Sequence, residues 1–526
     1  MSKTKSSGSV SWMPLILVSM ASFVSALDQT FMNVSMSQVV ADLNTTTSTI
    51  QTIMSMYTLI TASMMLVSAK LQDIFGKRRI FIIGAVFYGL GTTVAAISPN
   101  TIVLFLGWAL LEGIGGAMMT PGIISIISGT YSGSQRTTAL SFSAAITAIS
   151  AGIGPLFGGV VTEYVTWRFG FAIELVFVLF IIIFFKKIPY FPSIAEKKDL
   201  DITGSIVSII GLVLLVIGIL QLNSGDYALT AILAIAGILV LIAFGWFEIR
   251  RKKAGKVPLF DISLLKNRNL TAGTLIILIC CIVMAGVIYS VSIYLQSARG
   301  FSAIWTGIWL LPMTFGMMIV AVVASKFAGW LGHKASMLIG FVIAIIGCAL
   351  VFRQFTGDIS FWQLAPGMFL MGVGIEFPLS LASDTAMQGI PSEAQSSSSG
   401  LFSTGQSLGM SMGTAVIGVV MNLGAVGGIK DAIEKYIIPS GMSKEEGVEL
   451  VKQYYYKLGQ NLDLSAERSE FTRNIDELII QDSMGIVITA CAGLLLIAGL
   501  LTLFVLKGKK KNKEEVQSES AAESAA

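Results

Sequence analysis

The sequence predicts an all-α integral membrane protein that crosses the bilayer fourteen times, and three observations point there. Hydrophobic residues make up 54% of the 526 and charged residues only 13%, about half the ~25% of soluble domains. Apolar stretches of about 20 residues recur along the chain, each long enough to span a ~30 Å hydrocarbon core. The 53 glycines and 24 methionines suit close helix packing and adaptable apolar surfaces. A soluble protein of this make-up would have too little polar surface to stay dissolved.

The first apolar run, near 12–36, is too long for a cleaved leader, and no small-residue cleavage site in a polar segment follows it, so it reads as a retained span. Further spans are expected near 50–69, 80–98, 101–122, 137–161, 169–185, 203–222, 229–249, 270–295, 303–325, 336–352, 361–388, 394–422 and 483–506. An even number places both termini on one side. Of the 35 Lys and Arg, 25 fall in the tails and connections of that side, while the short opposite connections hold only Arg168, Arg299 and Arg353. The positive-inside bias therefore predicts a multi-pass protein of the cell membrane with both termini in the cytoplasm.

The resulting organisation is a cytoplasmic N-tail (1–11), a six-helix half (12–185), a cytoplasmic linker (186–202), two inserted helices (203–249), a second linker (250–269), a second six-helix half (270–506) and a cytoplasmic, disordered, Lys-rich tail (507–526) that faces lipid headgroups. The second half contains a long extracellular loop, 424–482, with 11 acids against 7 bases. Ser443 to Glu446 looks like a capping box, followed by Val448, Val451, Tyr454, Tyr455 and Leu458 at helical spacing; a second helix is expected to hold Phe471, Ile475, Leu478 and Ile479. Such a loop is either a solvated helical hairpin or a cation-attracting vestibule.

Two connections repeat. Residues 68–79 link spans two and three, and residues 324–335 link spans ten and eleven. Aligning Gly76 with Gly332 superposes Lys70 on Lys326 and Arg78 on Lys334. Six-span repeats of this kind place a substrate site at their interface near the bilayer midplane, reached alternately from the two sides.

Three acids lie deep in apolar runs: Asp28, Glu112 and Glu376. A carboxylate at the centre of a membrane helix costs roughly 2.5–3.5 kcal/mol on insertion scales, so each is a functional candidate. Burial disfavours the charged form of a carboxyl, which can then take up a proton on one side and release it, or exchange it for a cation, on the other. Trp108 and Glu112 share a helical face that can hold a lipophilic cation by charge and ring; Asp28 shares a face with Met32, beside Phe31. Gly372, Gly374, Glu376 and Pro378 predict an interrupted helix opening backbone carbonyls to a cavity. Glu174 and Asp384 are weaker candidates. Cys280, Cys281, Cys348 and Cys491 fall inside apolar runs as free thiols, with no disulfide or metal spacing. No phosphate-binding Gly-x-x-x-x-Gly-Lys-Ser/Thr loop occurs, His333 lies in a connection, and neither an enzyme site, a cofactor, a metal site nor nucleic-acid binding is expected.

Read together, the motifs resemble the fourteen-span drug–proton antiporter branch of the major facilitator superfamily across nearly the whole chain. Leu27-Asp-Gln-Thr-Phe-Met-Asn-Val34 resembles its first-span signature, and 68–79 its cytoplasmic loop motif, with Asp73, Gly76, Lys77, Arg78 and Arg79 in place. In that loop Asp73 is expected to meet the N-terminus of a neighbouring helix, and Lys77, Arg78 and Arg79 to face lipid phosphates. Gly152-Ile-Gly-Pro-Leu-Phe-Gly-Gly159, carrying Gly154, Pro155 and Gly158, resembles the fifth-span antiporter motif. Trp167-Arg168-Phe169 follows where that family has its aromatic-Arg turn, and Tyr294-Leu-Gln296, Gly300-Phe-Ser302 and Leu311-Pro312 match spans nine and ten. The resemblance implies a major facilitator fold of two six-helix halves with two inserted helices, in which spans one, four, nine and twelve line a cavity. It implies proton-coupled efflux of lipophilic, cationic compounds by a monomer, with Asp28, Glu112 and Glu376 in coupling and Trp108, Glu112, Met32, Phe31, Tyr289, Tyr294 and Glu376 toward substrate. Asp73, Gly76, Arg78, the span-five glycines with Pro155, and Arg168 would govern conformation.

Two departures bear on that scheme. The family usually has an Arg four residues before the span-four motif Gly and often a Gln just before it, whereas Gly113 here is preceded by Ala109 and Glu112. Glu174 stands where a neutral amide is common, and in the second loop copy Gly329 replaces the acid and His333 a base. A specific metabolite or lipid carrier, coupled or uncoupled, is the competing transport reading; a polytopic sensor fits the hydropathy but not the repeat and the buried acids.

Overall fold

The computed structural model describes residues 11–196, 199–221, 227–352, 354–355, 359–432, 443 and 470–506. Fourteen helices in it are long and apolar enough to cross a membrane. They are α1 (Met13–Asp42), α2 (Thr47–Phe75), α3 (Lys77–Ala96), α4 (Thr101–Thr130), α5 (Gly133–Tyr164), α6 (Arg168–Phe184), α7 (Ile202–Leu220) and α8 (Tyr227–Lys253). There follow α9 (Arg268–Ile293), α10 (Ala303–Leu331), α11 (His333–Val351), α12 (Phe361–Met387), α13 (Gln395–Ala432) and α14 (Glu470–Phe504).

Local chemistry sets where these helices begin. In a bilayer every backbone polar group needs an internal partner, and the first-turn amides are taken by side chains. Thr46 accepts from the amide of Thr49, Asn100 from Val103, and Asp201 from Gly204. Ser360 and Gln363 form a reciprocal capping box at the start of α12. The turns joining α2 to α3 and α10 to α11 each hinge on a glycine, Gly76 at φ 89° and Gly332 at φ 84°, a left-handed region open to residues without a Cβ. The two aligned loops thus share a backbone conformation as well as a pattern.

Packing repeats in the same way. In the first six helices α1 lies on α5 and α6, α3 on α4 and α6, and α2 on α4; in the last six α9 lies on α13 and α14, α11 on α12 and α14, and α10 on α12. The two bundles meet where α5 packs on α10 and α2 on α13, with α5 also touching α12 and α4 touching α13. The two main contacts exchange under the same correspondence, which is the symmetry expected of two rocking halves.

Helices α7 and α8 form a pair of their own, closed by small residues: a Cβ on Gly237 would stand 2.5 Å from the Leu215 amide. The pair leans on the bundle through α7, which meets α2 and α13. A polar knot ties its base, where Arg251 Nε lies 3.1 Å from Asp201 Oδ2 and the Leu259 amide donates to Glu248 Oε2 at 2.7 Å. The far side of α8 exposes Ile235, Leu239, Ile242 and Trp246, the composition of a lipid-facing surface.

Three expectations about helices change. The interruption predicted at Gly372–Pro378 does not form: α12 runs unbroken from Phe361 to Met387. Its glycines serve close packing instead, since a Cβ on Gly374 would lie 2.3 Å from the Ala344 amide of α11, and one on Gly372 would collide with the Met313 carbonyl of α10. Irregular helix appears elsewhere, as π turns at Phe105–Glu112 inside α4 and Tyr294–Ala298 after α9. The second helix expected within the 424–482 loop is the first part of α14, which starts at Glu470. The expected capping box and helix from Ser443 to Leu458, and the tail after Leu506, lie outside the described residues.

The α1–α5 contact makes a direct test. A Cβ on Gly158 would meet the Phe31 carbonyl oxygen at 2.7 Å, whereas Gly427 has nothing within 4 Å. Gly158→Val is expected to cost about 1–3 kcal/mol through overpacking, seen as earlier thermal unfolding of the purified protein, while Gly427→Ala leaves the transition in place.

Candidate functional site

A cavity of about 170 Å³ lies between the halves, walled by α1, α2, α4 and α5 on one side and α9, α10, α12 and α13 on the other. Apolar groups such as Ile123, Ile124, Met284 and Phe402 dominate the wall, broken by Gln29, Thr61, Thr147, Gln406 and Glu376. Glu376 is 1% exposed. Its Oε1 accepts from Ser380 Oγ at 2.6 Å, and its Oε2 has no hydrogen-bond partner among the described residues.

Behind the cavity, in the first half, three carboxyls converge. Asp28 (α1), Glu112 (α4) and Glu174 (α6) are all fully buried, and one oxygen of each lies within 4.8 Å of an oxygen of the others. Each has one anchored oxygen: Trp108 Nε1 donates to Asp28 Oδ2 at 2.9 Å, Thr92 Oγ1 to Glu112 Oε2 at 2.9 Å, and the Tyr88 hydroxyl to Glu174 Oε2 at 3.5 Å. Asp28 Oδ1, Glu112 Oε1 and Glu174 Oε1 have no hydrogen-bond partner among the described residues.

The π turn in α4 helps to build this arrangement. Residues Phe105–Glu112 carry Trp108, Ala109 and Glu112, and such widened turns recur at functional sites. Glycines let α3 come close enough for Thr92 to reach Glu112: a Cβ on Gly91 would lie 2.5 Å from the Glu112 amide, and one on Gly107 2.6 Å from the Ala95 amide. Tyr57 of α2 separates cluster from cavity. Its ring stacks on Trp108 at 5.8 Å and 23° while another part of it lines the cavity wall.

Of the side chains read as substrate contacts, Glu376 is the one that the structure sets on the cavity wall. Phe31 and Met32 belong to the packed core of the first half, Phe31 lying edge-on to Phe157 and Phe171. Trp108 and Glu112 sit in the cluster, one or two turns away from the part of α4 that meets the cavity, namely Gly116, Thr120, Ile123 and Ile127. Tyr294 packs against Phe355 with centroids 5.0 Å apart, and Tyr289 is half-buried on α9 away from the cavity. Tyr57 and Gln29 are among the wall residues that sequence reasoning missed; Gln29 had a signal, as the neighbour of Asp28 on the adjacent face.

The glycine motif of α5 looks two ways. Gly154 and Gly158 press on Thr30 and Phe31 of α1, whereas Gly152 and Gly159 press on Thr314 and Ile304 of α10. Pro155 is buried between them. One segment thereby carries the cluster-bearing helix on one face and the opposite half on the other. At the far end of α1, Arg168 Nη1 donates to Asp42 Oδ2 at 2.8 Å and its Nη2 to the Ser98 carbonyl at 3.0 Å, with Trp167 Nε1 donating to the same Asp42 oxygen.

The α2–α3 loop corrects another expectation. Lys77 and Arg78 were expected to face lipid phosphates, yet Lys77 is 5% exposed and donates to the Ser125 carbonyl at 3.1 Å and to Gln395 Oε1 at 3.3 Å. Arg78 donates to the Ile188 carbonyl at 3.1 Å and lies over Phe185 and Tyr190; Arg79 is exposed. The linker after α6 folds over the loop, its Ile188 carbonyl taking Arg78 and its Ile194 and Ala195 amides donating to the Asp73 carbonyl. The Asp73 carboxyl faces Ser396 and Ser397 in the first turn of α13, a favourable place for an anion.

Asp384, a weak candidate from sequence, supplies the matching contact in the other direction. At the end of α12 it accepts from Arg136 Nε at 3.0 Å and Thr137 Oγ1 at 2.8 Å, both at the start of α5, and lies 2.8 Å from His333 Nε2 of the second loop. Each half therefore offers an acid to the first turn of a helix in the other. Gly329 holds no acid in the second loop, and Asp384 fills that role from a different helix.

Residues 18–414 match the family model of the Major Facilitator Superfamily. The chain belongs to that superfamily. Among its relatives, the probable actinorhodin transporter of Streptomyces coelicolor is 26% identical over 419 residues, covering 78% of this chain and 72% of the relative. The methylenomycin A resistance protein of Bacillus subtilis is 26% identical over 418 residues (78% and 88%), and the quinolone resistance protein NorB of Staphylococcus aureus 28% over 385 (72% and 81%). The crystal structure of the human organic anion transporter MFSD10 shares the fold, with a TM-score of 0.60 at 14% identity over 93% of this chain and 98% of that one.

The Asp384 contact should hold one end of the cavity shut. In a protein whose only cysteine is the cavity-lining Cys281, Asp384→Asn is expected to raise the labelling rate by a water-soluble maleimide several-fold. An unchanged rate would mean that this junction does not control access.

Proposed function

We propose that this superfamily member is a secondary active exporter of lipophilic, cationic compounds, driven by proton entry and working by alternating access as a single chain with both termini in the cytoplasm. The observation that carries the reading is Glu376: a carboxyl with one free oxygen, set in the wall of a mainly apolar cavity between two symmetry-related bundles. A greasy wall takes up a lipophilic body without demanding fixed polar contacts, and one carboxyl selects positive charge. Because Glu376 can hold either a proton or a cation, binding of one displaces the other. Each proton entering through 100 mV supplies about 2.3 kcal/mol. The names of the relatives, which speak of antibiotic resistance and export, support the same substrate class.

Two kinds of contact make the cycle mechanically reasonable. The α5 glycines hold the halves together along α10, and the Asp73 and Asp384 contacts hold them at the end predicted to be cytoplasmic. Opening one set while keeping the other exposes the cavity to one side at a time. Packed interfaces of this kind switch between discrete arrangements rather than deform smoothly.

Purified protein in sodium-free proteoliposomes should change the internal pH when tetraphenylphosphonium is added under an imposed pH gradient. Glu376→Gln should abolish that change and weaken binding of this cation by roughly tenfold or more, the worth of a charge-assisted contact, while a neutral lipophilic ligand is affected far less. Absence of any substrate-driven pH change in the parent protein would overturn proton antiport.

A further inference from the structure

We propose that Asp28, Glu112 and Glu174 form a binding site for a hard metal cation of sodium or calcium size, which supplies the positive charge that the groups around them lack. The idea deepens the ion-coupled reading above by naming a second ion, but binding itself is a property of the folded chain and is tested without transport.

Charge balance comes first. Buried charges in proteins are paired or coordinate metals, yet the groups around this cluster, Tyr57, Trp108, Thr92, Tyr88 and Phe171, are all neutral. Ala109, in the same π turn, is fully buried and brings no charge. No salt bridge reaches any of the three acids among the described residues, so no protein cation stands beside the cluster.

Geometry points to what replaces it. The convergence of one oxygen from each residue within 4.8 Å suits an ion that binds oxygens at roughly 2.3–2.6 Å. An all-oxygen donor set favours hard ions over zinc or copper. Magnesium, at about 2.0–2.1 Å with several retained waters, fits poorly in a pocket closed by Trp108 and Phe171. Each acid also has one oxygen pinned by Trp108, Thr92 or Tyr88 and one oxygen free. Outer groups orient metal ligands in this way, leaving the remaining lone pairs to the ion.

The three ligands come from α1, α4 and α6, so an ion there would tie the cavity-bearing α1 and α4 to the outer helix of their half. Tyr57, which borders both cavity and cluster, stands on the route by which the ion would enter.

Equilibrium dialysis of the purified full-length protein against radioactive sodium or calcium, near pH 8 with choline holding ionic strength, tests the site. Saturable binding of about one ion per chain is expected, with a matching rise in thermal unfolding temperature. Glu174→Gln should lower the affinity at least tenfold, the usual range for altered metal sites. Glu248→Gln, a buried carboxyl outside the cluster, should bind as the parent does. Saturation by sodium alone, or by calcium alone, identifies the ion. No binding of either metal, or binding untouched in both Glu174→Gln and Glu112→Gln, overturns the proposal; the sodium-free proton assay above would stand regardless.

Discussion

Buried charge in a bundle of hydrocarbon thickness has to be answered within a few ångströms, and much of this structure is arranged around that constraint. Asp28, Glu112, Glu174 and Glu376 each take a donor from a nearby side chain, on a neighbouring helix for the first three and one turn along the same helix for Glu376. Asp28 takes Trp108, Glu112 takes Thr92, Glu174 takes Tyr88 and Glu376 takes Ser380. Each of these bonds satisfies one oxygen and leaves its partner for something else. In a packed interior a bare carboxylate oxygen is expensive, which is why those atoms mark where ions or substrates are handled rather than where the fold is merely held.

The same constraint explains how the halves are joined. A surface of fixed ion pairs would lock them, while a purely apolar seam would have no register. Instead the α5 glycines let backbone approach backbone, giving a tight contact that depends on shape. Asp73 faces Ser396 and Ser397 in the first turn of α13, where the helix dipole favours an anion, and Asp384 pairs with the Arg136 and Thr137 side chains at the start of α5. These contacts are specific yet made of few bonds, so both can be broken in one step of a rocking motion.

Much of the fold was legible because hydropathy and repetition are properties of whole segments. The fourteen spans and the repeated loops hinging on Gly76 and Gly332 follow from patterns several residues long. Side-chain direction was harder. Trp108 and Glu112 do share a face, as their spacing implied, but that face turns toward α1 and α3, because the π turn and the glycines of α3 rotate it away from the cavity. Gly372 and Gly374 suggested a broken helix, whereas close neighbours on α10 and α11 use them for packing and the helix stays whole. Lys77 and Arg78 looked like lipid anchors until the linker after α6 folded over them. Glu174 and Asp384 were undervalued for one reason: their partners lie on helices far away in the sequence.

Tyr57 and Trp108 divide the site into two compartments with different chemistry. On one side lies an apolar chamber with a single carboxyl, suited to bulky guests of varied shape. On the other lies a fully buried cluster of three carboxyls, closed to a drug-sized guest. A transporter that handled substrate and ion at one carboxyl would have to let every guest compete directly with the ion. Here the stacked pair keeps the three-acid pocket out of a guest's reach, yet Tyr57 touches both spaces. The state of the pocket can therefore be felt at the chamber wall through one ring. A rotation of Tyr57 is the smallest movement that would connect the two, and it lies on α2, the helix that also meets α13 of the opposite half. An ion in the cluster would thus be linked to ring position and to the seam between the halves through a single element, the kind of connection that coupling of ion and substrate movement requires.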